Sequence, residues 1–329
     1  RLFFERYIVM EELGGKRLAV LVGCNYPNTE NELHGCINDV VAMKQVLIER
    51  FGFKEEGIEL MTDEPTGSSV IPTGANIKKA LRRMIHNARE GDVLYFHYSG
   101  HGTLIPSLKP NEPHRKDEAI VPCDFNLITD MDFRELVNQL PPKTSFTILS
   151  DSCHSGGLID QEKEQIGPST IAPRHPQPHH SQPRLIPFES ILEKFKQLTN
   201  LDTPNIATHM RERFKDEASL SFCLNELASH DRATKGDHGI LLSGCQANET
   251  SADARMDEEG GRAYGAFSNA VCKVLEENPG RIRNKEVVIK AREVLQKQGF
   301  RQHPCLYCCD ENANASFLLQ PSKKVVSPM

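Results

Sequence analysis

The chain has 329 residues, 38% of which are hydrophobic, and a formal net charge of −6 at pH 7. This length and composition allow a sizeable buried core and are typical of a globular protein. The mild negative charge argues against nucleic acid as the main partner, and no segment approaches the roughly 18 apolar residues of a membrane span.

The N-terminus and the cysteines bear on where the protein acts. Residues 1–16 are predicted to be an N-terminal extension that lacks the features of a signal peptide, and Met10 within it is a candidate native start. The 10 cysteines are spread from Cys24 to Cys309, in a chain too large to need disulfide staples. We therefore expect free thiols and a cytoplasmic protein, which would reach the cell exterior only after rupture.

Apolar runs of strand length alternate with helix-like stretches along most of the chain. The predicted strands are Leu18–Val22, Ile58–Met61, Val93–Tyr98, Phe146–Leu149, Ile240–Leu242 and Phe317–Leu319. The predicted helices are Asp39–Arg50, Asn76–Ala88, Phe133–Leu140, Phe267–Glu276 and Lys285–Lys297. This alternation predicts an α/β fold with a mainly parallel central sheet flanked by helices on both faces. Such sheets bind ligands at the carboxyl ends of their strands.

A proline-rich segment, Gly167–Pro187, interrupts this alternation and predicts an exposed, extended linker. Helical spacing over Phe188–Glu217 follows it without a strand, which indicates an insertion. The predicted organisation is a large region at 17–166, a linker with a helical insertion at 167–237, a small region at 238–320 and a tail at 321–329.

Two predicted strands end in reactive side chains with glycines nearby. One runs into Ser99-Gly100-His101-Gly102 and the other into Asp151-Ser152-Cys153-His154. Because parallel strands end at one edge of a sheet, the Cys153 thiol and the His101 imidazole are candidates for a nucleophile and its general base. The backbone amides of Gly102 and Cys153 are candidates to hold an oxyanion.

His154 is the alternative base, but adjacent side chains at a strand end point in different directions, so His101 is preferred. Ser99 lies two residues before His101, and Asp151 lies two before Cys153. The period of two along a strand puts each pair on one side. A carboxylate beside the nucleophile favours a cationic substrate.

The blocks Tyr98–Gly102 and Asp151–Gly157 resemble the two signature blocks of metacaspases, which are caspase-like cysteine peptidases. Further similarity spans most of the chain and covers Val22–Tyr26, His34–Asp39, Asp117–Pro122 and Gly239–Gln246. A linker between two halves, without an N-terminal prodomain, resembles the type II metacaspases of plants. The rather short linker resembles the metacaspase-nine group.

This resemblance implies a caspase-like fold and a cysteine endopeptidase that cleaves after Arg or Lys, made as a zymogen and self-processed in its linker. It also implies a role in programmed cell death or stress proteolysis. By the same resemblance, Cys36 and Asp39 join Ser99 and Asp151 in the pocket for the basic side chain. Arg184 in the linker is the predicted self-cleavage site, and Arg174, which has Pro173 before it and a histidine after it, is the alternative.

The resemblance also raises the question of calcium. The candidate ligands are Asp117, Asp130, Asp132 and Asp160. Met131 interrupts the acidic run between Asp130 and Asp132, and the basic residues His114–Lys116 come just before Asp117. We therefore expect no required cofactor and no strong calcium dependence. Three linker histidines favour an acid-triggered enzyme, although solvated linker residues are an equally good interpretation.

Two other functions stay open from the sequence: a catalytically silent caspase-like scaffold and a redox-sensing thiol protein. A related peptidase specific for asparagine would leave Asp39 and Asp151 as uncompensated charges. The expected partners are protein and peptide substrates with Arg or Lys before the cut, without nucleic acid or membrane. We expect a monomer.

Overall fold

The computed structural model describes residues 15–64, 70–107, 116–159, 163–167, 181–223, 239–246, 249–255 and 262–319. From the N-terminus, the elements in the first half of the chain are β1 (Arg17–Gly23), α1 (Cys36–Phe51), β2 (Ile58–Thr62), α2 (Gly74–His86), β3 (Val93–Ser99), β4 (Gly102–Pro106), β5 (Lys116–Ile120), β6 (Ile128–Thr129), α3 (Asp130–Asn138) and β7 (Ser145–Asp151). The later elements are β8 (Glu164–Ile166), β9 (Ser181–Pro183), α4 (Phe188–Thr199), α5 (Ile206–Phe214), α6 (Leu220–Cys223), β10 (Gly239–Ser243), β11 (Ala252–Arg255), β12 (Ala263–Gly265), α7 (Ala266–Glu277), α8 (Asn284–Lys297), β13 (Cys305–Tyr307) and α9 (Asp310–Asn314).

Seven of these strands form one central sheet in the order β2-β1-β3-β7-β10-β13-β8. The pairs from β2 to β10 are parallel, whereas β13 pairs antiparallel with both β10 and β8. The predicted large and small regions therefore both contribute to a single sheet. Two three-stranded sheets, β12-β11-β9 and β4-β5-β6, lie beside it.

Helices cover both faces of the sheet, because successive side chains of a buried strand point to opposite sides. On β3, Leu94 and Phe96 belong to the core under α2, α3, α4 and α5. Val93 and Tyr95 belong to the core under α1, α7 and α8. This arrangement confirms the predicted α/β fold with a mainly parallel sheet between two helical layers. No helix within the described ranges is both long and apolar enough to cross a membrane.

The parallel strands end together at one edge of the sheet. The register places Gly23 of β1 opposite Ser99 of β3, Ser99 opposite Asp151 of β7, and Ser150 opposite Ser243 of β10. Each of these positions lies at or next to the end of its strand. The segments that follow the four strands therefore meet at this edge.

The C-terminal part differs from the sequence expectation. Phe317–Leu319 was predicted to be a strand but forms a 3-10 turn, whereas Cys305–Tyr307 forms the strand β13. Both segments are apolar and short, so burial alone does not distinguish a strand from a packed turn. The segment Phe188–Glu217, which has helical spacing in the sequence, contains α4 and α5, and all 10 cysteines are free thiols.

Candidate active site

His101 and Cys153 lie at equivalent positions beyond two paired strands. Ser99 pairs with Asp151, and each reactive residue follows its partner by two positions. A Cβ atom at residue 102 would overlap the carbonyl oxygen of Cys153, so only glycine permits this approach of the two loops. The strand register thus brings the two candidate residues together.

The hydrogen bonds of His101 determine which ring nitrogen can act as a base. Nε2 lies 2.8 Å from the carbonyl oxygen of Asn31, which can only accept, so Nε2 carries the proton of the neutral ring. Nδ1 is buried and has no hydrogen-bond partner within the described chain. Burial lowers the pKa of His101 to about 4, and the bond to Asn31 opposes the drop. The imidazole is therefore neutral, with the lone pair of Nδ1 available.

Two tyrosines hold the backbone of His101. The hydroxyl of Tyr26 accepts the His101 N–H at 3.0 Å, and the Tyr26 ring lies 4.8 Å from the imidazole centroid. The hydroxyl of Tyr98 donates to the His101 carbonyl at 2.9 Å. The sequence analysis did not assign a role to either tyrosine.

The Cys153 thiol lies in a turn directly after β7. Its Sγ accepts the N–H of Ser251 at 3.1 Å and is fully buried. The backbone N–H of Cys153 points elsewhere, to the carbonyl oxygen of Arg184 at 3.2 Å, and the N–H of Gly102 donates to the same oxygen at 3.0 Å. These two amides are the predicted oxyanion donors, and together they hold one carbonyl.

Arg184 lies inside this cleft, which corrects the expectation that it is exposed in a linker: its side chain is completely buried. Nη1 donates to Ser99 Oγ at 2.7 Å and to the Asp151 carbonyl at 3.0 Å. Nη2 donates to Asp39 Oδ2 at 2.9 Å and to Asp253 Oδ1 at 2.8 Å. The linker residue thus occupies a pocket built from the first turn of α1, the last residues of β3 and β7, and the strand β11.

Three carboxylates, those of Asp39, Asp151 and Asp253, surround the guanidinium within 3.3 Å. Burial by itself would lower the pKa of Arg184, but these carboxylates together with Cys36 raise it well above its usual value. Burial raises the pKa of Asp39, and the guanidinium opposes that rise. The pocket therefore holds a buried, charged guanidinium among three carboxylates.

Asp253 is the pocket residue that sequence reasoning missed. Its carboxylate is fixed by the backbone N–H groups of His34 and Gly35, at 3.0 and 3.1 Å, which orient it toward Arg184. A second missed residue, Gly265, forms the pocket wall, because a Cβ there would overlap the guanidinium and two carboxylates. In the sequence, little points to a role for Asp253 in the pocket. It is a carboxylate in the short strand β11, which follows soon after the end of β10.

The chain on both sides of Arg184 is bound as an extended peptide. Before it, β9 pairs antiparallel with β11, and the Arg184 N–H donates to the Ser251 carbonyl at 2.9 Å. After it, the Ile186 N–H donates to the Gly102 carbonyl at 3.2 Å. The peptide bond between Arg184 and Leu185 therefore lies beside the oxyanion donors, Cys153 and His101.

Cys36 lies at the edge of this pocket. Burial raises the pKa of its thiol, while the positive charge of Arg184 opposes the rise. A neutral thiol is the expected form there. Of the predicted pocket residues, Cys36, Asp39, Ser99 and Asp151 are all adjacent to the guanidinium.

Two of the predicted calcium candidates make other contacts, and Asp117 is buried in β5. Asp130 pairs with Arg134 at 3.6 Å, and Asp132 caps the start of α3 by accepting the Thr129 N–H. Asp160 lies outside the described residues. Within the described part of the chain, no group of three or more His, Cys, Asp or Glu side chains is arranged to hold a metal ion.

Comparison with known proteins places this site in a family. The model of the family described as "Caspase domain" matches residues 16–315. Metacaspase-9 of Arabidopsis thaliana is 58% identical over 320 residues, covering 93% of this chain and 98% of that protein. Metacaspase-6 of the same plant is 38% identical, with 91% and 99% covered. A protein of Geobacter sulfurreducens with a known crystal structure shares the fold, with a TM-score of 0.61 at 18% identity over 93% of this chain and all of that one.

Proposed function

The chain belongs to the caspase domain family, as a plant metacaspase of the type II group and hence a cysteine-type peptidase, and we propose that it cleaves after Arg or Lys and processes itself after Arg184. The observation that carries this proposal is the position of Arg184. Its guanidinium lies among three carboxylates while its carbonyl oxygen accepts both candidate oxyanion donors. This is the geometry that a bound substrate requires.

In the proposed reaction, Nδ1 of His101 takes the thiol proton of Cys153, and Sγ attacks the Arg184 carbonyl carbon. The negative charge that develops on the oxygen is stabilised by the N–H groups of Gly102 and Cys153. The Asn31 carbonyl stabilises the imidazolium by accepting from Nε2. His101 then donates a proton to the departing Leu185 nitrogen, and water hydrolyses the thioester.

Acceptance of both Arg and Lys follows from which atoms the pocket contacts. Only the terminal nitrogens of Arg184 are hydrogen-bonded within the described chain, and Nε is buried without such a partner. A lysine ammonium can reach the same carboxylates, although as a single point charge. Arginine, with two terminal nitrogens, is the expected better substrate.

The proposal is tested by purifying the wild type beside Cys153→Ala and sequencing the fragment that appears on activation. We expect the small fragment to begin at Leu185 and the variant to remain a single chain. Peptides ending in Arg, Lys, Asp or Asn are then offered to the processed enzyme. If the small fragment begins at another residue, Arg184 is not the self-cleavage site. Cleavage of the Asp peptide alone would overturn the proposed preference of the pocket for Arg or Lys.

We further propose that the enzyme acts as a monomer in the cytoplasm, in cell death or stress proteolysis, and without a strong need for calcium. The low pKa of His101, about 4, supports activity in acid, because the base stays neutral well below pH 7. Self-processing followed across pH, with calcium or with a chelator, tests this. Activity that requires calcium and neutral pH would refute it. Cys153→Ser separates catalysis from redox sensing, since a sensor role predicts unchanged peptidase activity.

A further inference from the structure

The residues that follow Arg184 are anchored to the body of the protein. Ile186 is 1% exposed, and its side chain belongs to the same core as Ile191 and Phe195 of α4, which are fully buried. The Ile186 backbone also donates to the Gly102 carbonyl at 3.2 Å. The chain downstream of the scissile bond is therefore held independently of the bond itself.

The residues that precede Arg184 are held much less. Gln182 and Pro183 are exposed, and β9 consists of only three residues paired with β11. If the bond after Arg184 is cut, as proposed above, the upstream segment can leave the cleft while the downstream segment remains in place. The new α-amino group of Leu185 then stays next to the position of the reacting carbonyl carbon, because its nitrogen was bonded to that carbon.

We propose that the processed enzyme is also an acyl transferase that joins Arg-ended or Lys-ended peptides to its own Leu185 amine. A substrate first forms a thioester between its Arg or Lys carbonyl and Cys153 Sγ, while its amine leaving group takes a proton from His101 and departs, which frees the position beside the carbonyl for the Leu185 nitrogen. The Leu185 nitrogen attacks this carbonyl, so that the C–N bond forms and the C–S bond breaks. The amine proton passes to Nδ1 of His101, and the thiolate of Cys153 is regenerated for the next cycle.

This step is the reverse of acylation during self-cleavage, so it uses the same oxyanion donors and the same base. No oxidant, reductant or further reactant is needed. The competing nucleophile is water, which must enter the site from solution. An amine held by its own chain beside the carbonyl has an effective concentration that reaches about 10⁵ M or more in well-oriented intramolecular reactions. Transfer therefore competes with hydrolysis for as long as Leu185 stays docked.

The experiment uses self-processed wild-type enzyme and a biotinylated peptide that ends in Arg followed by aminomethylcoumarin. Coumarin release reports formation of the thioester, whichever nucleophile resolves it. Intact mass analysis of the small fragment reports transfer, as a mass increase of the biotinylated peptide at Leu185. During turnover we expect about one tenth or more of the small fragment to carry the peptide. Continued coumarin release with an unmodified small fragment overturns the proposal and leaves the proposed peptidase intact, whereas absence of coumarin release contradicts the peptidase itself.

A matched pair of core variants tests the role of the anchor. Ile186→Ala weakens the docking of the segment that carries Leu185, whereas Ile77→Ala removes an equally buried isoleucine of the same core from α2, away from that segment. We expect the ratio of labelled fragment to released coumarin to fall about fivefold in the first variant, because the effective concentration of the amine depends on its positioning. The second variant should keep the wild-type ratio. An equal ratio in both variants contradicts the anchoring argument.

Discussion

Asp253→Asn tests the pocket most directly, because Asp253 touches the cation and lies far in sequence from His101 and Cys153. In the structure its Oδ1 accepts from Nη2 of Arg184 at 2.8 Å, and its carboxylate accepts two backbone N–H groups. The substitution keeps the size of the side chain and removes its charge. The change should therefore fall on recognition of the basic residue.

The expected loss follows from the number of carboxylates that remain. A hydrogen bond between charged groups contributes about 1.5–3 kcal/mol. Asp39 and Asp151 still neutralise the guanidinium, so we expect a loss of about 2 kcal/mol, which corresponds to about 30-fold in kcat/KM for Arg peptides. Lysine lacks the second terminal nitrogen that Asp253 contacts, so the loss for Lys peptides should be smaller. The Arg/Lys preference therefore decreases.

The assay measures kcat/KM of processed enzyme for matched peptides ending in Arg and in Lys. Asp124→Asn is the control, since this carboxylate also accepts two backbone N–H groups, those of Gly74 and Asn126, but does not contact Arg184. The control should stay within about twofold of wild type. If Asp253→Asn changes Arg cleavage no more than the control does, the assignment of Asp253 to the pocket is wrong.

Three further predictions concern the base, pH and the helical insertion. Tyr26→Phe removes the acceptor of the His101 N–H, so kcat should fall about tenfold with KM for Arg peptides unchanged, measured by steady-state kinetics. Burial lowers the pKa of His97 to about 3, so only the unfolded state takes up its proton below pH 6.5, and stability is lost as pH falls. In urea titrations of the Cys153→Ala protein, adding His97→Asn should remove about 2 kcal/mol of the loss between pH 7 and pH 5, and an unchanged pH dependence would contradict this. The Lys78 ammonium donates to the carbonyls of Glu217 and Ala218, just before α6. Lys78→Met leaves both carbonyls without this donor, so the free energy of unfolding in a denaturant titration should fall by about 1–3 kcal/mol, while kcat stays unchanged. An unchanged free energy of unfolding would contradict the contact.

Much of the fold could be predicted locally because its signals are local. The apolar run that became β3 is buried along its whole length, and its alternating residues fill two separate cores. The error at Phe317–Leu319 arose because a short apolar run contains no periodicity that separates a strand from a turn. Cys305–Tyr307 forms a strand because β10 and β8 offer it hydrogen-bonding edges on both sides.

The sequence by itself predicted the candidate catalytic pair: a thiol and an imidazole, each two residues beyond a polar residue at the end of a buried strand. This was possible because parallel strands with one register carry local positions to a common edge. Only the tertiary structure decided that Asp253 and Gly265 complete the pocket and that Arg184 is buried in it rather than exposed. Those contacts join segments from different parts of the chain, and long-range packing and charge pairing leave no trace in local composition or periodicity.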